Sequence, residues 1–261
     1  MKRLLRAGLG MACSLLLIQP AAAHWQGKAG LGARSVSHAE YGTDGRLLVR
    51  ERGWLPGITL AETYQAGDLT WFTGADWYHV GIRYAGQTQA GTSAESRTGT
   101  TLATLRFGAG YQLAPAVAVT AALEADLWRR DIRATGTAAG LQERYRTERL
   151  IFGISRAWQA AAGKLDADLA LVVATPERMR VDFHGLLDTA TLKTRRAPGL
   201  RLGAGFRPTF SPALEVRAAY DWMRIGRSSD APLTRNGRLA GTVAQPEHVR
   251  QGFSLTVARV F

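Results

Sequence analysis

The stretch Phe253-Ser-Leu-Thr-Val-Ala-Arg-Val-Phe261 alternates apolar residues with mostly small or polar ones and stops on an aromatic. A β-strand sends successive side chains to opposite faces, so Phe253, Leu255, Val257 and Phe261 share one side. Gly252, Ser254, Thr256 and Ala258 share the other, and Arg259 is the one polar residue on the apolar side. Such a segment suits a strand with one face in lipid.

Ending an alternating segment on Phe261 resembles the C-terminal strand of Gram-negative outer-membrane β-barrels. The resemblance implies that Phe261 is an insertion signal, with the barrel-assembly machinery as a partner. The other end of the chain agrees. Lys2, Arg3 and Arg6 form a basic start, Ala7 to Ile18 an apolar run too short to span a bilayer, and Ala21-Ala-Ala23 a small-residue cleavage site. Residues 1–23 therefore read as a signal peptide and residues 24–261 as the barrel. Cys13 is the single cysteine and falls in the leader, so no disulfide holds the exported chain.

Three of the 33 basic residues and none of the 21 acidic ones lie in the leader, which leaves 30 against 21 and a net charge of +9. That balance favours anionic partners. In an exported chain with period-two patterning, anionic lipid headgroups fit better than nucleic acid.

From Trp25 onward the sequence breaks into ten alternating stretches joined in turn by longer polar loops and tight turns. Ala103, Leu105, Phe107, Ala109 and Tyr111 point one way in the fourth, and Leu165, Ala167, Leu169, Leu171 and Val173 do so in the seventh. The fold expected is all-β: an antiparallel up-and-down transmembrane β-barrel of ten strands. A soluble sandwich also alternates, but its strands run about five or six residues, whereas a tilted membrane strand needs roughly nine to eleven. In the second stretch Pro56-Gly57 reads as a bulge. A parity switch there would account for Glu62 and Asp76, which otherwise fall on the lipid face.

With both chain ends on the periplasmic side, the turns near 65–68, 114–116, 161–163 and 211–213 face the periplasm. Arginines then gather at the outer strand ends. Arg129, Arg130, Arg144, Arg146, Arg178, Arg180, Arg195 and Arg196 are the strongest candidates for binding lipopolysaccharide or another polyanion, because the guanidinium fork pairs with phosphate. Inside, Glu124, Asp126, Arg130, Asp166, Asp168, Arg201, Arg207, Glu215, Arg217 and Asp221 mix both signs and can pair with one another. A ten-stranded barrel is only slightly wider than the side-chain-filled eight-stranded case, so a largely closed lumen is expected.

Nucleotide, P-loop, zinc and Gly-x-Ser-x-Gly signatures are absent, and no cofactor or metal is implied. His38 and His79 read as inward-facing. Arg178, Arg180, Asp182 and His184 share a parity that continues the inward side of the seventh stretch, which makes Asp182 and His184 neighbours. An Asp beside a His can orient it to activate water. Ten strands, this size and an Asp-x-His at that place resemble omptins, the outer-membrane endoproteases. The resemblance implies Asp182 and His184 as catalytic residues. It also calls for a partner Asp pair near the second outer loop, where Gln89 to Ser96 contain no Asp and only Glu95 as an acid. No His with Ser or Asp stands out on a lipid-facing side, as a lipid-modifying enzyme would need. The leading expectation is a monomeric, non-enzymatic surface protein of the cell outer membrane, structural, adhesive or lipopolysaccharide-binding. An omptin-like protease and a narrow anion-preferring pore are the alternatives.

Overall fold

The computed structural model describes residues 23–87, 92–136 and 139–261, so the segment expected as a leader, residues 1–23, lies outside the described residues except for Ala23. Ten strands close one antiparallel barrel. They are β1 (Ala23–Tyr41), β2 (Leu47–Ala66), β3 (Leu69–Gln87), β4 (Ser93–Ala114), β5 (Val117–Ile132), β6 (Leu141–Ala160), β7 (Gly163–Ala174), β10 (Ala197–Pro208), β11 (Leu214–Ile225) and β14 (Glu247–Val260). Each pairs with the next in this order, and β14 returns to β1, so no edge is left open. The last described residue belongs to that seam: Phe261 donates its N–H to the Gly27 carbonyl at 2.9 Å, and its own carbonyl accepts from Gly27.

At one end the connections are all short, at 67–68, 115–116, 161–162 and 209–213, which marks the periplasmic side; the long connections at 133–140, 175–196 and 226–246 mark the outer side. Between them runs an apolar outer belt. Leu105, Leu123, Phe152, Leu171 and Leu255 all point away from the barrel, as their parity predicted. No described helix is long and apolar enough to cross a membrane, and the crossing is made by strands.

Two expectations about β2 and β3 fail. β1 and β2 keep one register through Pro56 and Gly57, with the only shift between Glu40 and Tyr41. On the β3 side, residues 53–56 and 79–82 leave the ladder without changing its register. There is no bulge and no parity switch. Gly57 instead admits a close approach: a Cβ there would stand 2.3 Å from Cδ1 of Tyr78, whose ring lies against the strand. β3 turns Trp71 and Trp77 outward and Tyr78 inward, and this parity carries Asp76 into the lumen. Glu62 does face out, but opposite Gly27 near the periplasmic end.

β8 (Arg178–Asp182) and β9 (Ala190–Lys193) extend β7 and β10 beyond the membrane, with β8 paired to the outer part of β6. Residues 175–177 stand opposite only 147–148 of β6, and this extra residue reverses the faces. β7 buries Val172 and Ala174, whereas β8 buries Met179 and Val181. Arg178, Arg180 and Asp182 consequently face outward, opposite to the parity expected. Met179, Val181 and Leu192 join Trp128 and Tyr145 in an apolar cluster at the outer mouth. The hairpin of β12 (Ala231–Arg235) and β13 (Arg238–Val243) packs Ala231 and Val243 against it. Asp188 fixes the tip of this hairpin by accepting from Thr234 Oγ1 and from the N–H groups of Asn236 and Gly237.

Leu171, 62% exposed in the outward apolar series of β7, tests the membrane assignment. Leu171→Arg is expected to cost roughly 2–4 kcal/mol in urea unfolding from phospholipid vesicles. A change within about 0.5 kcal/mol, as at an ordinary water-facing site, would contradict it.

Candidate functional site

Chemistry-bearing side chains gather in two places, the outer wall above the apolar belt and the lumen. On the wall, sheet register sets cations side by side. Arg129 faces Arg144 and Arg144 faces Arg180; one step toward the membrane, Arg146 faces Arg178 and Arg178 faces Lys193. All six are exposed, and directly opposed residues stand about 4.5–5.5 Å apart at Cβ. A second row joins Arg52, Arg83 and Arg97 across β2, β3 and β4. Arg83 pairs with Glu95 at 3.0 Å, so this row is partly neutralised. The first rows are not: among the described residues no carboxylate pairs with Arg129, Arg144, Arg146, Arg178 or Arg180, and Arg144 bonds only Gln142 Oε1. Arg195 and Arg196 are exposed in the link between β9 and β10.

Arg130 does not belong with them. It is 1% exposed, inside the mouth, and its guanidinium meets Glu51 at 3.0 Å, Glu40 at 3.4 Å and, more closely, Glu143. Tyr145 Oη lies 3.0 Å from Arg130 Nη1, and Thr98 donates to Glu51 at 2.6 Å. Beside this knot, His38 Nε2 stands 2.8 Å from Glu40 and His248 Nε2 3.3 Å from Glu177. Glu177 lies in the link outside the membrane strands. Burial pushes its carboxyl up, but the Arg250 guanidinium and its neighbours His248 and Thr147 outweigh burial and hold it at about 2.

Ion pairs continue down the lumen. Arg149 joins Glu124 and Asp126, Arg201 joins Glu124 and Asp221, and Arg34 also meets Asp221. Arg217 takes Asp166 and Asp168, and Lys28 shares Glu215 with Arg207 near the periplasmic end. Gly203 makes room for this: a Cβ there would meet Asp168 Oδ1 at 2.5 Å.

Asp182 and His184 are close but not as a side-chain pair. The Asp182 carboxylate accepts the backbone N–H of His184 at 2.9 Å, closing a turn in which His184 has φ +53°. Both are exposed on the outer hairpin, away from the lumen. The second outer loop falls partly outside the described residues, and Glu95, which is described, pairs with Arg83. His79, expected inward, faces out: it stacks on Trp77, and its Nδ1 lies 2.8 Å from Thr101 Oγ1. Sequence reasoning missed this histidine and hydroxyl on one outward face, because the parity assigned to β3 was reversed. No group of His, Cys, Asp and Glu fit to hold a metal ion occurs among the described residues.

No protein-family model matches the chain, and no curated protein does. Solved structures do. The crystal structure of the outer membrane protease OmpT from Escherichia coli superposes with a TM-score of 0.63 at 11% identity, covering 90% of this chain and 95% of that one. The translocator domain of the autotransporter NalP from Neisseria meningitidis gives 0.47 at 11% identity over 90% and 88%. The likeness is one of fold. The chain is a ten-stranded outer-membrane barrel.

Arg130→Met leaves three buried carboxylates facing no cation, and a loss of roughly 3–5 kcal/mol is expected in urea unfolding from detergent micelles. Arg129→Met, one residue away on the wall, is expected within about 0.5 kcal/mol. Equal effects would show that the two arginines do not occupy different sides.

Proposed function

We propose that this protein is a surface barrel whose lumen is closed by its own ion pairs and whose outward arginine rows hold the phosphate groups of the surrounding glycolipid. The opposed cations Arg129, Arg144 and Arg180 carry the reading. Like charges directly across a sheet destabilise it, so such a row requires anions from outside. The row begins two residues beyond lipid-facing Leu127, where headgroup phosphates lie, and the guanidinium fork matches a phosphate better than a point charge does. A structural or adhesive role follows from the same surface, which a free polyanion can also engage. The barrel works as a monomer, inserted by the assembly machinery that reads Phe261.

Lipopolysaccharide is expected to raise the melting temperature of the refolded protein in a salt-sensitive way. Replacing Arg129, Arg144 and Arg180 together by Gln is expected to weaken binding at least about tenfold, from three charge-assisted contacts of the order of 1.5–3 kcal/mol each before screening. Unchanged binding would remove the reading. Lumen ion pairs also argue against the anion-preferring pore, and planar bilayers are expected to show no conductance steps.

A second reading rests on the fold likeness to a protein whose name is protease: an omptin-like endopeptidase using Asp182 and His184 on the outer hairpin. Refolded protein with lipopolysaccharide, incubated with a peptide library, decides it. Cleavage lost in His184→Ala supports this reading, and no cleavage overturns it.

A further inference from the structure

Between the mouth and the lower ion pairs the lumen holds a partly open cavity of about 60 Å³. Four arginines line it, Arg34, Arg149, Arg201 and Arg250, against two carboxylates, Asp126 and Asp221. Both carboxylates already carry charged partners. Asp126 accepts from Thr104 on one oxygen and Arg149 on the other, and Asp221 accepts from Arg201 and Arg34 in the same way. Glu124 and Glu177 stand behind the arginines and pair with them from outside the cavity.

The donors are in the opposite condition. Trp128, 2% exposed, has no partner for Nε1, and Arg149, 8% exposed, has none for Nε. Arg250 lies with its guanidinium 4.1 Å from the Trp128 ring centroid, and its Nε is likewise unpartnered. Its Nη2 is 2.6 Å from Glu177 Oε2 but outside hydrogen-bonding direction. Each buried N–H left unsatisfied is costly, of the order of 1–3 kcal/mol.

What fills this space must accept several hydrogen bonds and has few to give. Water can meet part of that demand, because each carboxylate oxygen can accept a further hydrogen bond, whereas an anion meets it with acceptors alone. The volume also excludes a large ligand. One water needs roughly 10–15 Å³ by this measure, so the cavity takes a small ion with a few waters, whereas organic ligands occupy about 300 Å³ or more.

We propose that the cavity binds a small monovalent anion of the size of chloride, held by the Nε1–H of Trp128 and the guanidinium N–H groups of Arg149 and Arg250. The site lies inside the barrel, separate from the outward arginine rows, and does not depend on the glycolipid reading. It supplies acceptors where the ladder of internal pairs leaves N–H donors over, and so forms part of what closes the lumen.

Bromide replaces chloride and scatters anomalously, so crystals of the full refolded barrel grown in sodium bromide test the site directly. An anomalous peak within hydrogen-bonding reach of Trp128 Nε1 and Arg149 Nε is expected. Water density alone at saturating bromide overturns the proposal. Thermal unfolding in sodium chloride and sodium gluconate at equal ionic strength gives a second readout, with a higher melting temperature expected in chloride. Trp128→Phe keeps a ring under Arg250 and deletes one N–H; the chloride increment is expected to fall at least several-fold in this variant. Equal melting in both salts for the parent, or an undiminished increment in the variant, overturns the assignment.

Discussion

Everything in this structure depends on one constraint: in hydrocarbon there is no water to satisfy a backbone N–H or C=O, so every strand needs a neighbour on both sides. The ring of ten meets the demand by pairing β1 with β14. Where that seam leaves its ladder, between the Arg34–Ser254 and Ser37–Gln251 pairs, the Ser35 hydroxyl accepts the Phe253 N–H at 2.8 Å. Phe261 completes the seam against Gly27. Arg259, the residue that sits worst in an apolar face, lies at this periplasmic edge with its guanidinium 5.3 Å from the Phe261 ring centroid. A cation over an aromatic face at the interface is tolerable there and would be costly higher in the belt.

Closure creates the second problem. The outer face must be apolar, so polar residues alternate inward and crowd a lumen too narrow to hydrate them fully. Charges then find partners far away in sequence: Lys28 and Glu215 are 187 residues apart, Arg130 and Glu51 79. Breaking one such pair leaves a buried charge, whereas an exposed wall pair such as Arg83 with Glu95 contributes little.

The alternation was legible in the sequence because it is local. The outward faces of β4 to β7 and of β10, β11 and β14 follow directly from period two, and the short turns mark the periplasmic side. What failed was parity wherever one residue shifted it. Pro56-Gly57 looked like a bulge and is not one, because Gly57 accommodates the Tyr78 ring without changing register. The true bulge is at 175–177, and it shows only in the count of residues against β6, which pairing and not local sequence decides. This single residue moves Asp182 and His184 from the expected inner face to the outer wall. Partner choice in the lumen was not legible at all, since it depends on which strands meet across the barrel.

Arg129 and Arg130 show how much rides on that parity. They are adjacent on β5 and identical in chemistry. Arg129 points to the wall, beside Arg144, with no carboxylate paired to it among the described residues. Arg130 points to the lumen, where Glu40, Glu51 and Glu143 surround it and no external ligand is needed. Composition counts both toward one positive charge. The pleat divides them, giving one set of arginines to the exposed outer wall and the other to the lumen, so the basic character of the chain divides between two different environments.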